Sequence, residues 1–258
     1  MKRKLTWTIG FLLVLIIWIV GAVYVRLTRT DLPPAVVERL YPLPQQVVTA
    51  AVEMDWRDVL NQMSLSTSRV LMGFFAAGLV ALPLGFAIGR VRLVAAALEP
   101  ANDFLRYLPV AGFTSLAIFL LGTGNMSAVL VVFTGTVFHL VVATADAVRR
   151  VPSEYLDLAQ TMSYGPFQRL RKIIIPAASP MVFDNLRIAV GWAWSYVTLA
   201  EIMGTEGGLG HAIEVSRRYI RTDQVLLWIA IIGILGLLSD TIMRLWGRRW
   251  FRWAIEMR

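Results

Sequence analysis

The chain has 258 residues, of which 57% are hydrophobic, and it carries a formal net charge of +8 at pH 7 without any cysteine. The apolar excess predicts a membrane protein with several spans and argues against a soluble domain. The absence of cysteine excludes disulfides and thiolate metal sites. Because the basic residues lie between apolar stretches, they predict membrane topology and no nucleic-acid partner.

Six apolar stretches approach the roughly 20 residues that a helix needs to cross a bilayer. In chain order they cover 7–24, 66–88, 105–121, 126–145, 181–203 and 225–245. The first follows a basic Lys-Arg-Lys run and is not followed by a small-residue cleavage site, which favours a retained helix over a signal peptide. The sequence therefore predicts an all-α membrane protein with six transmembrane helices.

These stretches divide the chain into four parts. The parts are a first transmembrane helix (1–25), an external segment (26–65), a five-helix core with a polar loop at 146–180 (66–246), and a tail (247–258). Prolines interrupt the start of the external segment, and 46–63 is predicted to be a surface helix. The distribution of Lys and Arg predicts that both termini and the loop lie in the cytoplasm.

The loop between the fourth and fifth spans has helical patterns of its own. Apolar residues recur at helical spacing before a Ser-Tyr-Gly-Pro turn at 163–166 and again after it. The first set is Tyr155, Leu158, Ala159 and Met162, and the second is Phe167, Leu170 and Ile174. Two short amphipathic helices outside the bilayer must bury their apolar faces somewhere, and this predicts a partner protein.

The loop resembles the cytoplasmic coupling loop of ABC importer permeases, in which Glu-Ala-Ala, three residues, Gly and a basic apolar stretch precede Leu-Pro. Counted back from Ile-Pro at 175–176, the Glu-Ala-Ala positions fall on 157–159 and the Gly position falls on Ser163. Gly165 is expected to supply the flexible turn in place of Ser163. The resemblance implies an ATPase-coupling set of Asp157, Leu158, Ala159, Ser163, Gly165 and Phe167.

Short motifs along about four fifths of the chain are similar to the nitrate, sulfonate and taurine branch of these permeases. They are Pro-Leu-Gly at 83–85, Leu-Gly-Thr-Gly at 121–124, Ala-Glu-Ile-Met-Gly at 200–204, Gly-Gly-Leu-Gly at 207–210 and Thr-Asp-Gln-Val at 222–225. The resemblance implies the type I ABC importer permease fold, with a cytoplasmic coupling helix, in a bacterial inner membrane.

The same resemblance implies an assembly and a mechanism. Two permease chains, taken to be identical, line one path, two ABC ATPase subunits each contact one coupling loop, and an external binding protein delivers the solute. The chain is then a transport subunit and not an enzyme, and it moves a small oxyanion or organic acid by alternating access. The sequence has no Gly-x-x-x-x-Gly-Lys-Ser/Thr loop, so ATP and Mg²⁺ are expected on the ATPase, with no cofactor or metal on this chain.

Small hydroxyl residues in the third to fifth spans are candidates for lining the path, because they form a wet surface without a buried charge. The candidate path residues are Thr114, Ser115, Thr134, Thr136, His139, Trp192, Ser195 and Thr198. A protonated His139 could attract an anion, although packing is the simpler interpretation, and the others could equally face a helix or lipid. Glu201, with Gly204, is interpreted as an outer gate or a structural brace, since an acid at membrane depth is costly.

Other functions are open from the sequence alone. The same architecture could carry bicarbonate, an aromatic carboxylate or a pyrimidine vitamin precursor. A carrier that works alone would show inverted repeats, broken helices and paired intramembrane acids, which the sequence does not indicate. An intramembrane enzyme would need a catalytic constellation, and neither His-Glu-x-x-His nor paired acids nor a Ser/His pair is found in the spans.

Overall fold

The computed structural model describes residues 2–29 and 31–255, and every regular element in these ranges is helical. The helices are α1 (Lys2–Thr28), α2 (Pro34–Leu40), α3 (Pro44–Glu53), α4 (Trp56–Arg90), α5 (Arg92–Arg106), α6 (Val110–Leu121), α7 (Asn125–Arg149), α8 (Ser153–Thr161), α9 (Pro166–Arg169), α10 (Ile175–Gly204), α11 (Leu209–Arg218), α12 (Thr222–Trp250) and α13 (Arg252–Ile255). A π-helical turn, Leu170–Ile174, connects α9 to α10. The predicted all-α class is confirmed.

Four continuous helical segments of the described chain are long and apolar enough to cross a bilayer. They are Trp56–Arg90, Asn125–Arg149, Pro166–Gly204 and Thr222–Trp250, and the bent pair of α5 and α6 makes a fifth. The apolar part of α1, Leu12–Thr28, is shorter and mostly exposed. The predicted count of six is reached only when α1 and the bent pair are each taken as one span.

The third predicted span is not a single helix. α5 ends at Arg106, α6 begins at Val110, and the two helices are bent by 92°. Pro109 explains the break, because it has no N–H to donate and, at φ −68° and ψ 123°, holds the chain extended just before α6. The prediction of one helix over 105–121 is therefore wrong.

The predicted surface helix over 46–63 is divided in two. α3 ends at Glu53, and α4 begins at Trp56, well before the predicted start of the second span at 66. The carboxylate of Asp55 accepts a hydrogen bond from the Arg57 N–H at 2.9 Å and so caps the start of α4. The span and the external turns before it thus form one helix.

The loop contains one separate amphipathic helix, α8, and not two. α9, the π turn and α10 form one helical segment from Pro166 to Gly204. The π turn directly precedes Pro176, whose ring would meet the carbonyl of residue 172 in a regular α-helix, and the wider turn accommodates it. We call Pro166–Gly204 the long segment, and it runs from the loop through the whole span.

The centre of the bundle is α7, which packs against α4 on one side and α10 on another. Three glycines bring α4 close to it: a Cβ on Gly73, Gly85 or Gly89 would lie 2.5–2.7 Å from a Cβ of α7. Small residues allow membrane helices to approach and gain van der Waals contact. The close packing of α4 against α7 thus fixes these two helices relative to each other along their length.

Candidate coupling surface, path and buried ion pair

Helix α8 rests on the bundle by one face and exposes another. Ala159 is fully buried, and Leu156 packs against a small apolar cluster of α7 and α10 that contains Ile174. Four large apolar side chains of α8, of the turn after it and of α9 are exposed, with fractions of 41–71%: Tyr155, Leu158, Met162 and Phe167. We call these four residues the coupling surface. Exposed apolar groups on a loop outside the spans are typical of a protein contact.

The turn after α8 has a defined geometry. The Tyr164 N–H donates to the Ala159 carbonyl at 3.0 Å and the Ser163 N–H to the Gln160 carbonyl at 2.9 Å, which is the Schellman pattern. Ser163 has φ +53°, in the left-handed region that favours glycine. Gly165 has φ −67° and precedes α9. The expectation that Gly165 supplies the turn is therefore wrong, because the residue just past the helix end must take the left-handed conformation.

Asp157 lies outside the coupling surface. It is exposed and borders a shallow cavity with Gln160 and Thr161.

The loop end of the bundle carries exposed positive charge. Arg149 is paired with Glu99 at 2.8 Å, whereas Arg150, Arg171 and Lys172 have no ion pair within the ranges that the structure describes. The Lys172 Nζ lies 4.8 Å from the ring centroid of a loop tyrosine, a cation–π contact that leaves its charge in place.

The opposite end of the bundle contains a buried ion pair. Arg69 Nη1 lies 2.7 Å from Glu201 Oε1, and the two side chains are 1% and 0% exposed. Ser66 Oγ lies 2.8 Å from each carboxylate oxygen, and the Gly210 N–H donates to Oε2 at 2.9 Å. Arg69 also donates to Asn125 Oδ1 through Nε and Nη2. The pair thus joins α4, α7, α10 and the start of α11, and its desolvated charges are held by several hydrogen bonds.

Glycines make room for this pair. Gly207 and Gly208 have φ of +90° and +105°, and a Cβ on Gly208 would overlap the Glu201 carboxylate. Gly204 packs directly against Ile118 of α6. The Gly-Gly-Leu-Gly motif is therefore a structural requirement of the ion pair, and Glu201 has the contacts of a brace. The gate role of Glu201 and Gly204 stays a prediction.

A second acid at this end is itself buried but pairs with two exposed arginines. Glu214 in α11 accepts hydrogen bonds from Nε of Arg217 and of Arg218, each at 2.8 Å. These guanidinium groups, that of Arg217 first, lower the pKa of Glu214 to about 2. The two arginines are thus neutralised within their own helix.

One face of α10 is open in the single chain. Its exposed residues Ile188, Gly191, Trp192, Ser195 and Ile202 are separated by helical spacings of three, four and seven positions and so share one face. The ring of Trp192 contacts that of His139 in α7, with centroids 5.2 Å apart. The structure therefore brings three of the predicted path residues to this stripe or beside it.

The other predicted path residues are divided between open and enclosed positions. Ser115 is exposed, and Thr134 and Thr198 are half-buried, whereas Thr114 and Thr136 are 1% and 0% exposed. The hydroxyls of Thr114, Thr134 and Thr198 donate to carbonyls four residues earlier in their own helices, at 2.8–3.1 Å. The single chain does not bring these residues together in one lining.

Sequence reasoning missed two buried polar residues, Arg69 and Asn102, and the ion pair of half-buried Arg106. Arg69 lies within the predicted span 66–88, and an arginine within an apolar span needs a buried counter-ion, which was the available signal. At the α5–α6 break, Asn102 donates to a backbone carbonyl of α7 at 3.1 Å, and Arg106 Nε lies 3.1 Å from Asp103 Oδ1. Pro109 was the signal for the break.

A helical membrane bundle with a projecting loop and an open helix face defines a membrane-embedded transport subunit. Residues 69–252 match the family described as "Binding-protein-dependent transport system inner membrane component", and the chain belongs to this family. The predicted resemblance to the nitrate, sulfonate and taurine branch of ABC importer permeases is confirmed.

Two relatives and one solved structure illustrate the likeness. The taurine transport system permease protein TauC of Escherichia coli strain K12 is 28% identical over 262 residues, covering 100% of this chain and 93% of that protein. The bicarbonate transport system permease protein CmpB of Synechococcus elongatus is 30% identical, covering 73% and 68%. A chain of the MetNI methionine ABC transporter in an inward-facing conformation has a TM-score of 0.60 at 17% identity, covering 72% of this chain and 94% of that chain. The last comparison shows the fold.

Proposed function

We propose that this chain pairs with an identical copy and forms the path of an ATP-driven importer for a small oxyanion or organic acid. The names of TauC and CmpB support the solute class, because taurine and bicarbonate both carry an acidic oxyanion group. Family membership supports delivery by an external binding protein. The observation that carries the proposal is the coupling surface, which exposes four apolar side chains outside the membrane spans.

An ATPase subunit would bind the coupling surface and drive the cycle. Leu158 and Phe167 project from the loop, while buried Ala159 fixes α8 to the bundle. Phe167 lies in the long segment, so a contact there acts on the helix that ends near Glu201. ATP and Mg²⁺ would act on the ATPase, and closure of two such subunits would move α8 and the long segment together.

The open stripe on α10 is suited to face the second copy across the path. It presents the Ser195 hydroxyl and the Trp192 ring, with His139 beside it, and these groups can form a polar opening with a constriction. The buried Arg69–Glu201 pair would hold the outer ends of the helices together as the path opens.

The charge distribution supports the orientation. Exposed cations at the loop end, including Arg150 and Arg171, favour a cytoplasmic location, because orientation follows the excess of Lys and Arg. We therefore place both termini and the loop in the cytoplasm, with the chain in a bacterial inner membrane.

The test is reconstitution of the chain with its ATPase in proteoliposomes. ATP is supplied on one side of the membrane and the binding protein on the other. Labelled taurine, ethanesulfonate and bicarbonate serve as probes, and we expect one of them to be taken up and to raise ATP turnover. The matched control is Leu158→Asp, which should abolish ATPase association and uptake without altering the helical content of the permease.

Two outcomes would contradict the proposal. Uptake by the permease alone, without ATP, would identify a secondary carrier, for which the broken α5–α6 span is the one supporting feature. ATP-driven uptake of only a pyrimidine would keep the importer but contradict the proposed solute class.

A further inference from the structure

A cavity of about 430 Å³ lies beside α8, where the loop meets the bundle. Its walls come from the end of α7, from α8, from the start of the long segment and from Trp253 in α13. Arg150 and Lys172 are the charged residues in its lining, and no acidic side chain of the described ranges joins them. Most of the remaining wall is apolar and includes Tyr155 and Pro176.

The cavity adjoins an aromatic cluster at the end of α12. Trp246 stacks on Trp250 with centroids 6.2 Å apart, and these residues are 56% and 64% exposed. Phe183 of the long segment contacts Trp250 and Phe251, so α13, which contains Trp253, is held near the cavity. Tryptophan is enriched where lipid headgroups meet hydrocarbon, and this favours headgroup depth for the cavity.

We propose that this cavity binds the headgroup of one anionic phospholipid. Its phosphate would lie between Arg150 and Lys172, and its glycerol and first acyl carbons would contact Pro176 and Trp253. Charge complementarity favours this occupant, because both cations are without an acidic partner in the described chain, and basic pockets beside membrane helices bind anionic headgroups. An acidic side chain of the ATPase is the competing occupant.

The bound lipid would contact α8 and the long segment at once. The lipid would therefore hold α8 against the long segment, and the lipid composition of the membrane would change the strength of this connection. The cavity shares Tyr155 and Leu158 with the coupling surface, so the lipid and the ATPase would lie side by side at α8. Lipid binding does not depend on the transported solute, and it can fail while ATP-driven uptake holds, and the reverse.

The experiment uses the permease–ATPase complex in nanodiscs of phosphatidylcholine, with and without phosphatidylglycerol. Native mass spectrometry counts retained phosphatidylglycerol, and thermal unfolding reports the stabilisation that it gives. We expect Arg150→Gln and Lys172→Gln each to weaken phosphatidylglycerol binding roughly fivefold, and the double variant to lose the stabilisation. Arg150→Lys should retain most of it. The matched control is Arg92→Gln, which removes an exposed cation at the same end but outside the cavity. A second control, Glu256→Gln, removes the carboxylate that follows Trp253 in the sequence. Both variants should keep the stabilisation by phosphatidylglycerol.

Several results would overturn the inference. Equal retention of phosphatidylglycerol by the double variant would show that the cavity does not hold it, and an equal loss in Arg92→Gln would show a diffuse charge effect. Stabilisation by inorganic phosphate in phosphatidylcholine nanodiscs would indicate a phosphate site and not a lipid site. If the double variant lost the ATPase but still bound phosphatidylglycerol, the cavity would belong to the ATPase. Unfolding of each variant in phosphatidylcholine alone checks that the fold is intact.

Discussion

The two ends of the bundle satisfy their side chains in opposite ways. At one end Arg69 and Glu201 are buried together with their hydrogen-bond partners, and Glu214 pairs with the arginines beside it. At the loop end, the coupling surface is exposed, and several cations have no acidic partner in the described chain. Exposed apolar groups outside the spans are typical of a surface that binds a partner protein. One end is therefore built to stay intact, and the other is built to bind.

The largest effect should come from removing one charge of the buried pair. Glu201→Gln leaves Arg69 desolvated and uncompensated, and we expect a loss of about 3–5 kcal/mol of unfolding free energy, measured by thermal or denaturant unfolding in detergent. Replacing both residues, with Arg69→Met and Glu201→Leu, should recover part of the loss.

The control for this prediction is Glu214→Gln at the same end. Its arginine partners are 69% and 72% exposed, so this change should matter far less than Glu201→Gln. Equal losses of unfolding free energy in Glu201→Gln and Glu214→Gln would show that the burial of both partners does not make the first ion pair more important than the second.

A pair of glycines at the two ends sharpens the comparison further. Gly208→Ala places a methyl group against the Glu201 carboxylate at a φ of +105°, and we expect a loss of about 1–3 kcal/mol. Gly165 has φ −67° and open space around its Cβ position, so Gly165→Ala should change stability by less than about 1 kcal/mol. Unfolding midpoints of the two variants test this, and destabilisation by both would contradict the contrast between the ends.

The coupling surface should show the reverse pattern, with loss of binding but no loss of stability. Leu158→Ala and Phe167→Ala remove exposed side chains, so the unfolding midpoint should stay unchanged, while ATPase affinity falls by about 1–2 kcal/mol for each. Titration of labelled ATPase measures the affinity. Thr161→Ala, on an exposed part of the same helix, should leave it unaltered, and a similar fall there would indicate a general defect of α8.

The smallest effect concerns pH. The pKa of Glu214 is lowered to about 2 in the folded chain, so its contribution to stability is complete above the unfolded-state pKa near 4.5 and is lost as pH falls towards 2. The difference in unfolding midpoint between the wild type and Glu214→Gln should be constant above about pH 5 and shrink below it. A difference in unfolding midpoint that grows as the pH falls would show that the pKa of Glu214 is not lowered in the folded chain.

Apolar runs predict the long helices because the bilayer dictates their length and composition. The stretches that became α7 and α12 were evident from hydropathy alone, and the spacing of Tyr155, Leu158 and Met162 indicated the exposed face of α8. The break before Pro109 was missed because hydropathy measures only how apolar the residues are. It does not register that proline lacks the N–H that a helix needs.

Contacts between distant residues were less accessible to sequence reasoning. The partner of Glu201 lies 132 positions away, and nothing local specifies that distance. The turn at Ser163 was misassigned because its left-handed residue is fixed by where α8 ends and not by the nearest glycine.

The long segment has a mechanical consequence. It is one helical piece of 39 residues, so at about 1.5 Å per residue its ends are at most about 58 Å apart. One end lies in the coupling surface, and the other is anchored near the Arg69–Glu201 pair. If the anchored end acts as a pivot, each degree of tilt displaces Phe167 by at most about 1 Å. The segment then acts as a lever that pivots at the far side of the membrane. A small rotation about that pivot gives a large displacement at the coupling surface, where the ATPase would apply its force.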